Sequence, residues 1–338
     1  MRQRPPTMKD VARQADVNQS TVSRVLGTGG GASISLDVRK RITRIARALD
    51  YHPNPTAVAL RTGATRTVMV VVSDMTDMYY SGILSGVQEV LVAEGYSLVL
   101  HSLAHAGPPE NLPRFIRRFH FDGVLMLGAL PGMKDDVIAA LAGRGLPLVL
   151  VGRSLKARRV PSVTAANRDG GRMAALHLWG LGHTRIAVMR GLREWPDVTR
   201  RIEGFRAELS RQGAGADSLH LFPCASRQAC SGYAATVKLL QSWKPTAIFC
   251  MNDATAMGTM SALRRAGLGI PGDVSVVGFD DGELAEFSCP PLTSIRQPRL
   301  QMGREGAIHL VHAMRGQEAE SLVLSVELVE RESTCPPS

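Results

Sequence analysis

The chain has 338 residues, 44% of them hydrophobic and 21% charged, a composition ample for conventional cores in more than one domain. No run approaches the roughly 20 apolar residues needed to cross a bilayer, and MRQRPPTMKD has no apolar stretch of signal-peptide length, so neither export nor membrane insertion is expected. The net charge of +10 is uneven: residues 1–66 carry 12 Lys and Arg against 4 Asp and Glu, a local +8 that leaves only +2 for the remaining 272 residues. Such asymmetry points to a polyanion at the front, because neutralising phosphates releases their counterions.

In chain order, residues 7–26 spell two short amphipathic helices around the Asp16-Val17 turn. Thr7 is placed to cap the first with Asp10 as reciprocal acid, and Asn18 to cap the second. Val11, Ala12 and Ala15 give the first an apolar face, and Val22, Val25 and Leu26 the second. The second helix keeps a polar face of Gln19, Ser20, Ser23 and Arg24, side chains suited to base edges and phosphates. After GTGGGAS, Ser35 caps a predicted third helix with Val38, Ile42, Ile45, Ala46 and Leu49 on one side. The three form an all-α helix-turn-helix headpiece. YHPNPTAVALRTGATRT is then a linker, with Asn54-Pro55 starting a short helix through Ala57 to Leu60 that Gly63 ends.

From Thr67 short apolar runs alternate with helical stretches: TVMVVVS, YSLVLHS, DGVLMLG and LPLVLVG, then after VPSVTAAN a second series, RIAVMRG, SLHLFPC, TAIFCMN and VSVVGFD. Buried parallel strands read this way, and two series predict two α/β lobes with a ligand cleft at the carboxyl ends of the strands.

Enzymatic and metal motifs are sparse. The glycines of GTGGGA join two helices rather than follow a strand, which argues against a dinucleotide loop. Cys224, Cys230, Cys250, Cys289 and Cys335 show no metal spacing and are expected as free thiols in a reducing cytosol. His183 is expected as a structural turn residue. Asp280-Asp281 would suit a catalytic dyad or a metal, but without a nucleophile or second ligand cluster they suit a polyol's hydroxyls better. No metal and no cofactor are expected.

Eight collinear motifs resemble the lactose-repressor-type (LacI/GalR) family of transcriptional regulators: KDVARQADVNQSTVSRVL, YHPNPTAVALRTGATRTV, LGHTRIAVMRG, TRRIEGFRAEL, FCMNDATAMGTM, DVSVVGFDD, PPLTSIRQP and ELVERESTCPP. The resemblance implies a DNA headpiece (1–52), a hinge helix and linker (53–66), and a core similar to periplasmic sugar-binding proteins. Its N-terminal lobe is expected over 67–160 plus 291–319, its C-terminal lobe over 161–290 plus 320–332, and a tail over 333–338. It also implies a cytoplasmic homodimer or larger on a near-palindromic double-stranded operator; RESTCPPS carries no leucine heptads, so a dimer is the default.

Carried over by residue, Gln19, Ser20 and Arg24 would read bases, with Thr7, Asn18, Thr21, Ser23, Tyr51 and Asn54 on the backbone. Leu60, with Ala57 one turn before it, would enter the minor groove, the alternative for Leu60 being packing on the headpiece. The effector residues map to Asp74, Arg153, Arg201, Arg227, Asn252, Asp280 and Gln297. Two departures unsettle a neutral-sugar pocket: Ala166 stands where many relatives have aspartate, and Arg227 falls near an aromatic lid. Arg153, Arg201 and Arg227 converging on the cleft would favour a sugar acid or phosphorylated sugar. The rival readings are an exported solute-binding protein, which needs no residues 1–66, and an α/β enzyme using Asp280 and Asp281. The hinge helix is too short to persist alone and is expected to order on DNA or on a partner copy. Operator addition should therefore raise the helix signal in circular dichroism; no gain would count against the hinge assignment.

Overall fold

Helices α1 (Met8–Gln14), α2 (Gln19–Leu26), α3 (Leu36–Ala48) and α4 (Pro55–Thr62) come first in the computed structural model, which describes residues 4, 6–27, 33–105, 111–155, 160–191 and 195–338. They belong to the first of two units, Met1–Arg66 and Thr67–Ser338. Asp10 secures the start of α1: its Oδ2 accepts the Thr7 backbone N–H at 2.9 Å and the Thr7 hydroxyl at 2.6 Å. Those hydrogen bonds hold the Asp10 carboxyl below its usual range. Asn18 and Ser35 occupy the N-cap positions of α2 and α3, but their side chains make no capping bond. Burial carries these two helices instead, with Val11, Ala12, Ala15, Val22, Ile42 and Ala46 at the centre and Val25, Leu26, Val38, Ile45 and Leu49 packed around them. Pro55 opens α4, where its missing N–H is no loss, and Gly63 at φ +71° follows its end. The glycine run at 29–31 lies outside the described residues.

The second unit alternates strand and helix: β1 (Thr67–Val72), α5 (Tyr79–Ala93), β2 (Ser97–Ser102), α6 (Leu112–Phe119), β3 (Gly123–Leu127), α7 (Asp135–Ala142), β4 (Leu148–Val151), β5 (Ser162–Ala165), α8 (Asn167–Gly180), β6 (Ile186–Gly191), α9 (Pro196–Arg211), β7 (Leu219–Cys224), α10 (Ala229–Ser242), β8 (Ala247–Cys250), α11 (Asp253–Arg265), β9 (Ser275–Asp280), α12 (Glu283–Phe287), β10 (Thr293–Arg296), α13 (Arg299–Met314), β11 (Leu322–Leu324) and β12 (Glu327–Val329). Two sheets result, ordered β11-β5-β4-β3-β1-β2 and β12-β10-β9-β8-β6-β7. All neighbours are parallel except β12, which runs antiparallel to β10. Each central strand is buried on both faces, which is why the sequence shows unbroken apolar runs there. Among the described residues no helix is long and apolar enough to cross a membrane.

The lobe boundaries differ from expectation at every crossing. β5 pairs with β4, so the chain stays in the first sheet to Ala165 rather than leaving it at 160. β10 pairs with β9, which extends the second lobe to Arg296 instead of 290, and β11 pairs with β5, returning the chain to the first lobe through Leu324 rather than 319. Short buried strands such as SVTA carry an apolar pattern that either sheet would accept, and only the pairing decides between them. Residues 333–338 are not a loose tail either. Ser333 Oγ accepts from Thr293 N–H at 2.8 Å and donates to the Val276 carbonyl at 2.6 Å, and Cys335 N–H donates to Ser275 Oγ at 3.0 Å. His183 is structural as expected, its Nε2 donating to the Cys335 carbonyl at 2.9 Å beside Thr246 and Ser275.

α8 and α9 cross backbone to backbone, and glycine makes that possible. A Cβ on Gly171 would lie 1.9 Å from the Arg201 carbonyl oxygen, and one on Gly204 would lie 1.9 Å from the Arg168 carbonyl. The carbonyls belong to helix backbone and cannot step aside. Gly204→Ala should therefore cost about 1 to 3 kcal/mol through overpacking, read as a lowered denaturation midpoint; an unchanged midpoint would contradict this crossing.

Candidate functional site

In the first unit, α2 presents Gln19, Ser20 and Arg24 exposed, with Thr21 and Ser23 half-buried beside them. Thr7 and Tyr51 are half-buried at the edge of the headpiece, while Asn18, Asn54 and Ala57 are exposed. Leu60 is 85% exposed on α4, so it does not pack on the headpiece.

The second unit holds a cavity of about 870 Å³ walled by both lobes. The first lobe contributes Ser73, Asp74, Asp77, Tyr79 and Tyr80, and α13 adds Arg299; the second contributes Trp195, Arg227, Asn252, Asp253, Asp280 and Glu283. Asp74 follows β1, Asn252 follows β8 and Asp280 ends β9, so the cleft opens at the carboxyl ends of the strands.

Arg201 stands behind this wall rather than on it, 1% exposed. Its Nε donates to Asn167 Oδ1 at 2.8 Å and its Nη1 to the Met251 carbonyl; Asp197 lies 3.6 Å and Asp280 3.8 Å away. Its guanidinium lies 3.6 Å from the Phe279 ring centroid. Burial pulls the Arg201 pKa down against the pull of Asp280 and Asp197. Asp197 also meets Arg227 Nη1 at 3.2 Å. Burial alone would raise the Asp197 carboxyl, but Arg227 and Arg201 together hold it below the usual range. Asn252 lines the cleft with its side chain committed: Oδ1 accepts from the Thr255 N–H and hydroxyl, capping α11, and Nδ2 donates to the Arg227 carbonyl at 2.9 Å.

Asp280 and Asp281 part company. Both have positive φ, +107° and +49°, a conformation non-glycine residues adopt at a cost and mostly where function demands it. The turn sends Asp280 to the cleft, where its Oδ1 accepts from Gln297 Nε2 at 2.5 Å. Burial raises the Asp280 pKa despite Arg201 and Arg227 nearby. Asp281 is not on the cleft wall; it pairs with Arg296 and Arg331, each at 2.7 Å. Of the expected carboxylate pair, one thus lines the cleft and the other is held in ion pairs off it.

Of the seven expected effector residues, Asp74, Arg227, Asn252 and Asp280 line the cleft, while Arg201 and Gln297 lie behind, supporting Asp280. Arg153 is not brought to it: Asp135, in the first turn of α7, takes its Nη2 at 2.5 Å. The expected convergence of three arginines therefore fails. Among the described residues the wall carries Asp74, Asp77, Asp253, Asp280 and Glu283 beside Arg227 and Arg299. Sequence reasoning missed Asn167, Asp197, Asp253, Tyr79 and Trp195. Asp197, four residues before Arg201 on one helix, and Asp253, next to Asn252, carried a positional signal; the aromatics carried none.

Asp253 is a strongly perturbed carboxyl of the wall. Burial, then the nearby Asp280 charge, push it up to about 8, although Ser294 Oγ at 2.6 Å and Gly282 N–H at 2.7 Å pull the other way. A folded pKa above the unfolded value of about 3.9 means the folded state holds more protons between those limits, so stability falls as pH rises from about 4 to about 8. Asp253→Asn keeps an acceptor for Gly282 and a donor for Ser294. It should flatten the pH dependence of the thermal midpoint, with the gain over the native chain larger at pH 8 than at pH 5; equal gains at both would refute the assignment.

A family profile described as bacterial regulatory proteins, lacI family, matches residues 7–54, and one described as a periplasmic binding protein-like domain matches residues 175–334. The HTH-type transcriptional repressor CytR of Escherichia coli (strain K12) is 32% identical over 331 residues, covering 97% of this chain and 96% of its own. The HTH-type transcriptional regulator CelR of Thermobifida fusca is 35% identical over 347 residues, 98% of this chain and 99% of its own. Among solved structures, the lac repressor dimer bound to operator and the anti-inducer ONPF aligns with a TM-score of 0.86 at 27% identity, over 98% of this chain and 100% of that one. A CelR-cellobiose complex aligns with a TM-score of 0.72 at 33% identity, over 97% and 99%. These relatives are transcriptional regulators rather than enzymes. With identity above 30% sustained from the headpiece through both lobes, the chain belongs to the LacI family of bacterial regulatory proteins.

Proposed function

We propose that this protein is an operator-binding repressor whose DNA affinity is set by an uncharged sugar-like molecule in the cleft. The cleft carries the reading: about 870 Å³ at the strand carboxyl ends, with Tyr79 and Trp195 as apolar wall and Asp74 and Asp280 placed to accept from hydroxyls. Arg153 is paired with Asp135, Arg201 is buried behind the wall and Arg227 is paired with Asp197, which argues against the sugar acid or sugar phosphate that the arginines in the sequence suggest. The cellobiose bound to the CelR neighbour makes a neutral disaccharide the first probe to use.

The DNA side follows from the exposed faces of α2 and α4. A homodimer places two copies of α2 in successive major grooves, with Gln19, Ser20 and Arg24 at base edges and Thr7, Asn18, Thr21, Ser23, Tyr51 and Asn54 along the phosphates. Leu60 and Ala57 of each copy enter the minor groove between the half-sites. An effector that favours one arrangement of the lobes changes the spacing of the paired hinges, with a coupling of about 1 to 3 kcal/mol in an ordinary case.

The test begins with duplexes retained by the purified protein from a random pool. Arg24→Ala should weaken binding to them by about 10- to 100-fold, the equivalent of about 1 to 3 kcal/mol for a bidentate base contact, and leave sugar affinity untouched. Undiminished operator binding would sink the assignment of α2. Calorimetry should rank a neutral disaccharide above its phosphate, and the opposite ranking would overturn the effector class.

A further inference from the structure

Arg227 makes a contact that the regulatory reading does not require. It sits between β7 and α10, in the second lobe, and its guanidinium lies 5.1 Å from the ring centroid of Trp195, also of that lobe. It lies 5.6 Å from the ring centroid of Tyr79, at the start of α5 in the first lobe. The same planar cation thus touches aromatic faces on both sides of the cleft. Its second-lobe anchorage is firm: Nη1 pairs with Asp197 at 3.2 Å, and Asn252 Nδ2 holds the Arg227 carbonyl at 2.9 Å. In the first lobe it meets the ring of Tyr79 and feels the charge of Asp77. Among the described residues, Arg227 Nη2 is buried without a hydrogen-bond partner.

We infer that Arg227 is an interlobe clasp, and that it selects effectors able to bring an acceptor oxygen to its unpaired Nη2. The anchorage is asymmetric. Two directional polar bonds fix Arg227 to the second lobe, while among the described residues a cation–π contact with Tyr79 and the undirected charge of Asp77 reach it from the first, so the Tyr79 side is the one that opens. A ligand oxygen at Nη2 satisfies a buried donor and competes with the Tyr79 face for the same guanidinium. Occupancy of the cleft and orientation of the lobes are then linked through one side chain. The link to DNA rests on the repressor reading above; the clasp itself concerns only the core.

A double-mutant cycle on the full-length chain tests both. Arg227→Leu and Tyr79→Leu should each change affinity for the selected duplexes in the same direction by about 3- to 30-fold, the range of a cation–π contact. The double variant should go no further than either single one. Small-angle scattering should show the same expansion of the protein in all three. Arg227→Lys, which keeps the charge near Asp197 without the flat face, should fall between native and Arg227→Leu, and it takes the place of Arg227→Leu in the cycle should that variant not fold. Single variants within twofold of native with unchanged scattering, or effects that simply add, would overturn the clasp. Should the native protein retain no duplex at all, the repressor reading fails while scattering still decides the clasp.

Discussion

The buried pairing of Arg201 with Asp197 and Asp280 is the interaction on which the core depends. A guanidinium 1% exposed between α8, α9 and the ends of β8 and β9 survives only because carboxylates, an asparagine and a carbonyl meet it together, over the face of Phe279. Losing one partner of such a buried set costs about 3 to 5 kcal/mol, because the remaining charge stays buried without its counterpart. The glycine crossing of α8 and α9 serves the same end. It lets the helix backbones touch where Arg201 and Asn167 must meet.

From that set the ligand wall is built outward. Asp197, fixed by Arg201, also takes Arg227; Asn252, fixed as the cap of α11, holds the Arg227 backbone; Asp280 is steadied by Gln297 as the chain leaves β10. Arg227 and Asp280, which face the cavity, are thus oriented in part by Asp197, Arg201 and Gln297, which do not. That arrangement limits the freedom of polar side chains before any ligand arrives, which lowers the entropy a ligand must overcome. The cost appears as local strain, with Asp280 and Asp281 both at positive φ at the strand end where a polar group must be aimed.

Much of this was legible in the chain. The capping pair Thr7 and Asp10, the apolar faces of the first three helices, and the alternation from Thr67 onward are local patterns, and local patterns survive translation into structure. Elements whose partners lie far away in sequence were less legible. SVTA at β5 and the strand at β10 read in the sequence as belonging to the other lobe, and residues 333–338 read as a tail although they tie Ser275, Val276 and Thr293 together.

The same division holds for the site. The sequence by itself determined that a basic helix-turn-helix headpiece precedes a two-lobed α/β core, because charge asymmetry, helix periodicity and strand-length apolar runs are properties of neighbours along the chain. Only the tertiary structure decided which arginine reaches the cleft. Asp135 lies 18 residues before Arg153, Asn167 lies 34 before Arg201, and Tyr79 belongs to another lobe from Arg227. Three arginines that suggest an anion in the sequence are one structural residue, one support behind the wall and one on the cleft wall, because a buried charge is claimed by whichever counter-group the fold brings within reach.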